Sequence, residues 1–470
     1  MGIRKIVARP TIESSMSKYD PIHGNVLRVF FHYAVPAVFG LLAMSSAFMI
    51  DGIFLGNYVG SQALAAVNIA APVWSGLFSV VTMLSVGSSV IAGKYLGQNN
   101  LAAAKSIFTK ALTCTLIFSL ASAILGILFL DPIVRALGAN EQLAPLASSY
   151  LTVIFRCAPA FLLGFCLYYF VRVDNNPLLA SSALLISALL NVVLDWCFIV
   201  VLELGIQGAA YATGIAHSIV FFVLVPYFLR ADTKLKPTSL RGNWREIFKA
   251  VINGFSEFVN EISAGLTTLL VNWIMISRLG VEGVAAYTIV NYLFFSGIMI
   301  YYGIGESIEP LVSKNFGARQ ARKISAYIST ALLSTLIIAL CVCGILLVST
   351  ELLINIFLKP GEEVTTEIAI RFVSFFWPAF VFSGINICLT AYFTACHRPL
   401  QSASIALSRS LLLPLLFLFT LPQLFGDIGI FISVPIAEFL TFLLAVTFFV
   451  NNTPERIVAS DVLSSQALTD

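Results

Sequence analysis

Long apolar runs separated by short polar intervals dominate the chain. They fall at about 27–56, 63–92, 106–130, 146–170, 178–201, 206–229, 248–277, 283–312, 325–349, 368–392, 401–421 and 428–450. Each reaches about the 20 residues that a helix needs to cross some 30 Å of hydrocarbon. The pattern predicts an all-α integral membrane protein with twelve transmembrane helices. Composition agrees: 59% of the 470 residues are hydrophobic and 11% are charged, against about 25% charged in soluble domains.

The intervals carry the orientation, because lysine and arginine collect on the cytoplasmic side. With the N-terminus inside, 21 of the 27 basic residues fall in cytoplasmic segments. Arg135, Arg278, Lys359 and Arg371 fall outside, and Arg156 and Arg409 lie within helices. Both termini are therefore expected in the cytoplasm of a multi-pass cell (inner) membrane protein. The first 20 residues are polar and basic, with no apolar core or cleavage site of the kind a signal peptide needs.

The longest basic interval, about Arg230 to Lys249, separates two copies of one pattern. A constant offset of 220 aligns GSQALAAVNI with GVEGVAAYTI and GKYLG with SKNFG. It places Gly60 on Gly280, Lys94 on Lys314 and Gly97 on Gly317, and an offset of 222 carries Pro177 onto Pro399. Six helices per copy, an even number, predict two pseudo-symmetric six-helix lobes related by an axis along the membrane normal, with a central cavity between them. The expected division is a cytoplasmic tail at 1–24, an N-lobe at 25–230, a linker at 231–247, a C-lobe at 248–450 and a cytoplasmic tail at 451–470.

An ionisable group at membrane depth costs roughly 2.5–3.5 kcal/mol on insertion scales, so each one is a candidate for function. The first run carries Asp51, with Pro36 about four turns earlier. Proline removes a backbone donor and marks a candidate hinge there. In the fifth run Asn191 and Asp195 are spaced i, i+4 and share a face. By rise per residue they reach the depth of Asp51 in the outer half, as does Thr213 in the sixth run. Two carboxylates, an amide and a hydroxyl form an oxygen-rich cluster suited to Na⁺ or, through repulsion between the acids, to H⁺. The plainer alternative is that each caps or hydrogen-bonds a neighbouring helix.

The second half has Glu257 and Glu261 on one face of the seventh run, Arg409 in the eleventh and Glu438 in the twelfth. A lone buried arginine is untenable, so Arg409 is paired with Glu438 or Glu261. That pair either locks the C-terminal bundle or leaves one glutamate free to meet a cationic substrate. Glu306 and Glu309, toward the inner end of the eighth run, are expected at a solvated mouth. His217 is read as an interior hydrogen-bonded histidine, and Arg156 as locally paired within its helix. All eight cysteines lie in apolar segments without a CxxC pair and read as small buried hydrophobes.

These residues resemble the multidrug and toxic compound extrusion (MATE) family. The resemblance is carried by M-I-D-G ending at Gly52, Gly60…LAAV, the Asn191-V-V-L-Asp195 segment, G-I-Q-G-A-A-Y-A-Thr213, the basic linker and the second copy. It spans about residues 24–450. It implies a DinF-like N-lobe coupling site at Asp51, Asn191, Asp195 and Thr213, where Na⁺ or H⁺ binds from outside and α-helical bending near Pro36 follows. The NorM-like branch places a further acid in the tenth helix; FVSFFWPAFVFSGINICLTAY has none. GFSEFVNEIS, Arg409 and P-I-A-E ending at Glu438 are closer to the MepA-like branch.

The function expected is secondary active multidrug efflux: organic cations leave in exchange for inward H⁺ or Na⁺ by alternating access. The partners implied are cationic aromatic drugs or toxins and the lipid bilayer, with the protein acting as a monomer and without a cofactor. Aromatic walls and a few acids suit flat cations. The alternative within the same superfamily is a flippase for lipid-linked oligosaccharides, whose anionic cargo favours a cavity rich in arginine and lysine. An intramembrane enzyme is disfavoured, since HExxH and a nucleophile–base set are absent. GxxxxGK[ST] is also missing, against direct ATP drive, and no basic groove with interleaved aromatics points to nucleic acid.

Overall fold

The computed structural model describes residues 17–357 and 362–466; Lys359 and three of the 21 cytoplasmic basic residues, Arg4, Lys5 and Arg9, lie outside them. Among the described residues, twelve helices are long and apolar enough to cross a membrane. The N-lobe comprises α1 (Val26–Val59), α2 (Ser61–Gly97), α3 (Leu101–Leu128), α4 (Ala144–Val173), α5 (Pro177–Val201) and α6 (Gly205–Phe228). The C-lobe comprises α7 (Phe255–Gly280), α8 (Glu282–Gly317), α9 (Ala321–Val348), α10 (Pro378–Ala395), α11 (Pro399–Phe425) and α12 (Asp427–Asn451). A last helix, α13 (Pro454–Gln466), follows at the same end as the linker.

The duplication is written into the backbone as well as the sequence. Left-handed φ values occur at Gly60 and Gly280, Asn99 and Arg319, Asn175 and His397, and Gly205 and Gly426. Each pair occupies the same junction in its own lobe. Gly60 (φ 111°) and Gly280 (φ 69°) turn the chain between the first and second helices of each lobe. A side chain is disfavoured at such a φ, which accounts for glycine in both copies.

Several boundaries differ from the apolar runs. The tenth run is two helices, Glu363–Phe376 and α10, broken at Trp377 because Pro378 opens the next helix and has no N–H to bond the carbonyl one turn back. Residues Arg245–Asn253 form a short helix of their own that ends at Gly254, so α7 starts at Phe255. In α1 the backbone stays helical through Pro36 and widens into a π-helical turn only at Leu55–Val59.

Within each lobe the helices pack around two apolar clusters, one at each end of the bundle. In the N-lobe, α4 runs along α6, α2 and α3, and α1 lies on α5. One end of the N-lobe is filled by Val90, Phe108, Tyr168 and Phe170, the other by Leu77, Tyr150, Phe155 and Phe161. The C-lobe repeats this arrangement, except that Val29, Phe30, Tyr33 and Ala34 from the start of α1 are buried with Ile304, Leu311, Tyr327 and Tyr392 of the C-lobe.

The lobes close on each other at the end that carries the termini and the linker. There α2 meets the short helix before α7 and the end of α8 with no room for side chains. A Cβ at Gly87 would lie 1.9 Å from the Ala250 carbonyl oxygen, and one at Gly254 would lie 1.9 Å from that of Met83. The equivalent glycines Gly97 and Gly317 meet reciprocally: each Cβ would sit 2.0 Å from a carbonyl oxygen, that of Lys314 and of Lys94 respectively. Such self-complementary contact is what a two-fold axis between copies produces. Further ties cross the seam there: Lys94 of α2 pairs with Asp461 of α13 at 2.7 Å, and Lys314 of α8 donates to Asn175 in the α4–α5 turn.

Candidate functional site

Between the lobes lies a cavity of about 300 Å³, within the range for small-molecule sites. The N-lobe lines it with Trp74, Phe78 and Phe165, and the C-lobe with Phe295 and Met299. The aromatic wall is held by its own packing. Phe78 lies 4.6 Å from Phe165 edge-on and 5.9 Å from Phe161 in a stack, and Trp74 meets His217 edge-on at 5.2 Å. His217 is fixed in turn by contact of its Nδ1 with the Thr213 carbonyl at 2.9 Å, an interior histidine as expected.

The four N-lobe residues singled out in the sequence come together at this cavity. Asp51, Asn191 and Thr213 line it, and Asp195 lies directly behind Asp51, fully buried and within hydrogen-bonding range of it. Helical spacing explains the placement of Asn191 and Asp195, one turn apart on the face that α5 turns toward α1. Both carboxylates stand just before π-helical turns, Leu55–Val59 in α1 and Trp196–Val201 in α5. Asp51 Oδ1, both Asp195 carboxylate oxygens and Thr213 Oγ1 are buried without a hydrogen-bond partner among the described residues. Uncompensated oxygens at such depth are costly, and the set matches an oxygen-ligated monovalent cation or a shared proton. Tyr150 of α4, which no spacing pattern marked, stands close to Thr213 and both acids.

In the C-lobe, Arg409 pairs with Glu438, its Nε donating to Oε1 at 2.9 Å, while Asn386 Nδ2 donates to Oε2 at 2.8 Å. Tyr302 lies alongside, with its hydroxyl 3.3 Å from Arg409 Nη1. The α11 backbone widens into a π-helical turn, Ser408–Leu412, around this arginine. Glu261 is left over from the pair and faces the cavity, whereas Glu257 lies one turn back near Asn260.

Three expectations are corrected. Arg156, expected to pair within its helix, is exposed and makes no ion pair among the described residues. Glu309, expected at a solvated mouth, is buried. Glu306 faces the cavity and is gripped from the opposite lobe. Arg172 Nη1 donates to its Oε2 at 2.7 Å, Tyr168 to the same oxygen at 2.8 Å and Tyr169 to Oε1 at 3.4 Å. Arg172 had counted only as a cytoplasmic positive charge, and Tyr168 and Tyr169 as part of an apolar run.

The fold has known counterparts. The sequence profile of the MatE family matches residues 36–197 and 263–420, more than half of the chain and both lobes. The chain belongs to the MatE family. It is similar to the multidrug export protein MepA of Staphylococcus saprophyticus, 26% identical over 423 residues that cover 88% of this chain and 91% of that protein. MepA of Staphylococcus aureus strain N315 is 25% identical, with 89% and 92% covered. Among solved structures, a multidrug resistance MATE family transporter of the MOP superfamily in an outward-facing conformation superposes with a TM-score of 0.86. It shares 21% identity over 96% of this chain and 99% of its own. A MOP superfamily transporter from Pyrococcus furiosus superposes equally well, TM-score 0.86 at 21% identity over 94% and 98% of the two chains. As a MatE protein this chain is a secondary transporter of the multidrug-efflux type, a multi-pass membrane protein rather than an enzyme. MATE structures have been solved in both bent and straight conformations.

Proposed function

We propose that this MatE protein exports organic cations in exchange for inward H⁺ or Na⁺, coupled at the Asp51–Asp195 pair. The carrying observation is that this buried, partnerless carboxylate pair borders the inter-lobe cavity, with Asp51 itself in the wall. Two acids in contact repel when both are ionised, so one H⁺ or one Na⁺ relieves the same cost and the two ions compete for one site. Asn191 and Thr213 supply the remaining polar groups for the ion. With the termini in the cytoplasm, as the basic residues indicate, the closed end is the inner one. Pro36 is the hinge of the cycle.

The cavity wall favours a cation as cargo. Its aromatic rings offer stacking and cation–π contact, its charged lining residues are Asp51, Glu261 and Glu306, and among the described residues no lysine or arginine lines it. That lining disfavours an anionic lipid-linked sugar. The direct test is uptake of ethidium into inside-out proteoliposomes under a pH gradient and, separately, a Na⁺ gradient. Transport under one gradient supports the proposal and names the ion. No transport under either overturns it and leaves lipid-linked substrates to be tested.

A further inference from the structure

The carboxylate that faces the cavity from α8 is already occupied by a positive charge belonging to the protein. Glu306 belongs to the C-lobe, and among the described residues the side chains that donate to it come from one stretch of the N-lobe helix α4: Tyr168, Tyr169 and Arg172. The guanidinium is 2% exposed, lies 5.1 Å from the Tyr168 ring centre, and leaves Nε and Nη2 without partners. Glu309 also lies close enough to act on this charge, yet most of the guanidinium's donors are unused, and a merely structural pair gains stability only when its remaining donors are also met. Glu306 keeps its own opening to the cavity, 16% exposed beside the aromatic wall.

We propose that Glu306 is a binding contact for the organic cation and that Arg172 is a tethered competitor for it, occupying Glu306 whenever the lobes close at the terminus-bearing end. The proposal rests on the organic-cation reading above. The pair spans the seam, so it forms only in this closed arrangement. When the lobes part there, α4 leaves α8 and takes Arg172 with it, and Glu306 is freed to meet a monovalent organic cation arriving from that side. When they close again, Arg172 returns at a fixed high local concentration and displaces the cargo toward the open side. The same carboxylate thus holds cargo in one state and rejects it in the other. Differential affinity between states is what an exporter requires. The selectivity is for positive charge: a neutral molecule of the same shape would feel neither partner.

The test is a double-mutant cycle of binding on the full-length protein, reading ethidium fluorescence. Wild type, Arg172→Met, Glu306→Gln and the double variant are titrated, with an uncharged phenanthridine of similar shape as the parallel probe. Removing the competitor is expected to tighten ethidium binding at least about tenfold, and removing the carboxylate to weaken it by a similar factor, in line with one charge-assisted contact. In the Glu306→Gln background, Arg172→Met is expected to change nothing, and the uncharged probe should bind all four proteins alike. Additive effects, or equal shifts for the uncharged probe, would assign the pair a structural role and overturn the proposal. If Arg172→Met does not fold, Arg172→Lys serves: a shorter and therefore weaker competitor should still tighten ethidium binding, and unchanged affinity counts against the proposal. Wild-type protein that binds no ethidium would instead defeat the organic-cation reading itself, so the two failures are separable.

Discussion

Adding a single methyl group where α2 and α8 touch should unbalance the transport cycle. A Cβ at Gly97 would lie 2.0 Å from the Lys314 carbonyl oxygen and 2.9 Å from the Ala318 nitrogen. Ordinary contact begins near 3.4 Å, so Gly97→Ala requires the helices to part by about 1.4 Å. The obstacle is backbone, which has no rotamer to yield. Overpacking of this kind costs about 1–3 kcal/mol, and the cost falls only on the state in which this end is closed. The expected result is a shift of about 5- to 150-fold toward the state open at the terminus-bearing end.

Distance measurements between spin labels at the exposed positions Leu101 and Arg322, just beyond α2 and α8, in a cysteine-depleted background, read this directly. Gly97→Ala should move population to the longer separation, and ethidium efflux should slow because the closed state becomes scarce. Gly317→Ala should do the same, since the contact is reciprocal. Gly76→Ala in the same helix is the control, because a Cβ there meets nothing within 4 Å. Identical distance distributions and efflux for Gly97→Ala and wild type would refute the closed seam as part of the working cycle.

Asp51→Asn should abolish gradient-driven efflux while the protein still inserts and folds; normal efflux would remove this acid from coupling. Glu261→Gln should change which cations are exported without changing the coupling ion, and an unchanged substrate profile would take it out of the cavity's chemistry. Pro36→Ala returns a backbone donor to α1, and slower exchange between the two spin-label separations is expected; an unaltered rate argues against a hinge there. Arg409→Met strands the buried Glu438, and a loss of about 3–5 kcal/mol in stability is expected in detergent, largely recovered by adding Glu438→Gln. His397, half-buried in the α10–α11 turn near Lys94, is held at about 3, well below its usual 6.5, chiefly by loss of solvent around the ring. Its neutral form is the one the fold keeps, so its contribution is complete above pH 6.5 and is lost as pH falls toward 3, by at most about 1.4 kcal/mol per unit. The loss of thermal stability on going from pH 7 to pH 5 should shrink in His397→Asn, and an unchanged loss would show that the side chain protonates freely.

Helices and their duplication were legible because both are local properties: run length sets a membrane span, and a fixed offset sets the repeat. The Asp51, Asn191, Asp195 and Thr213 cluster was legible for a related reason, since depth follows from rise per residue and face from i, i+4 spacing. The break at Trp377–Pro378 was also there to be read, but a continuous apolar run concealed it. The grip on Glu306 was not legible. Arg172 lies one residue from the end of α4, where a basic residue ordinarily marks the membrane boundary, and its partner is 134 residues away in the other lobe. Such a contact depends on how the lobes dock, which no periodicity encodes. The error over Arg156 has the same root: a charge inside an apolar run was assumed to need a partner, whereas it lies on an exposed face.

The course of α1 connects the two parts of the site. In its first turns Val29, Phe30, Tyr33 and Ala34 are buried in the C-lobe core. From Gly40 onward it lies on α5 of the N-lobe, where a Cβ at Gly40 would meet Leu184 at 3.4 Å, and Asp51 reaches Asp195 three turns later. Pro36 falls between these two anchorages. It removes the backbone bond that would tie position 36 to the carbonyl of His32. If the lobes part at the terminus-bearing end, α1 cannot keep both anchorages as a straight rod. It must withdraw Phe30 and Tyr33 from the C-lobe, break its contact with α5, or bend. Bending at a position already short of one hydrogen bond costs least. A change in how tightly Asp51 is held against Asp195 therefore bears on the same helix whose inner end is packed into the lobe that carries Glu306. Coupling then needs no long relay of side chains, only one helix shared between two bodies that move apart.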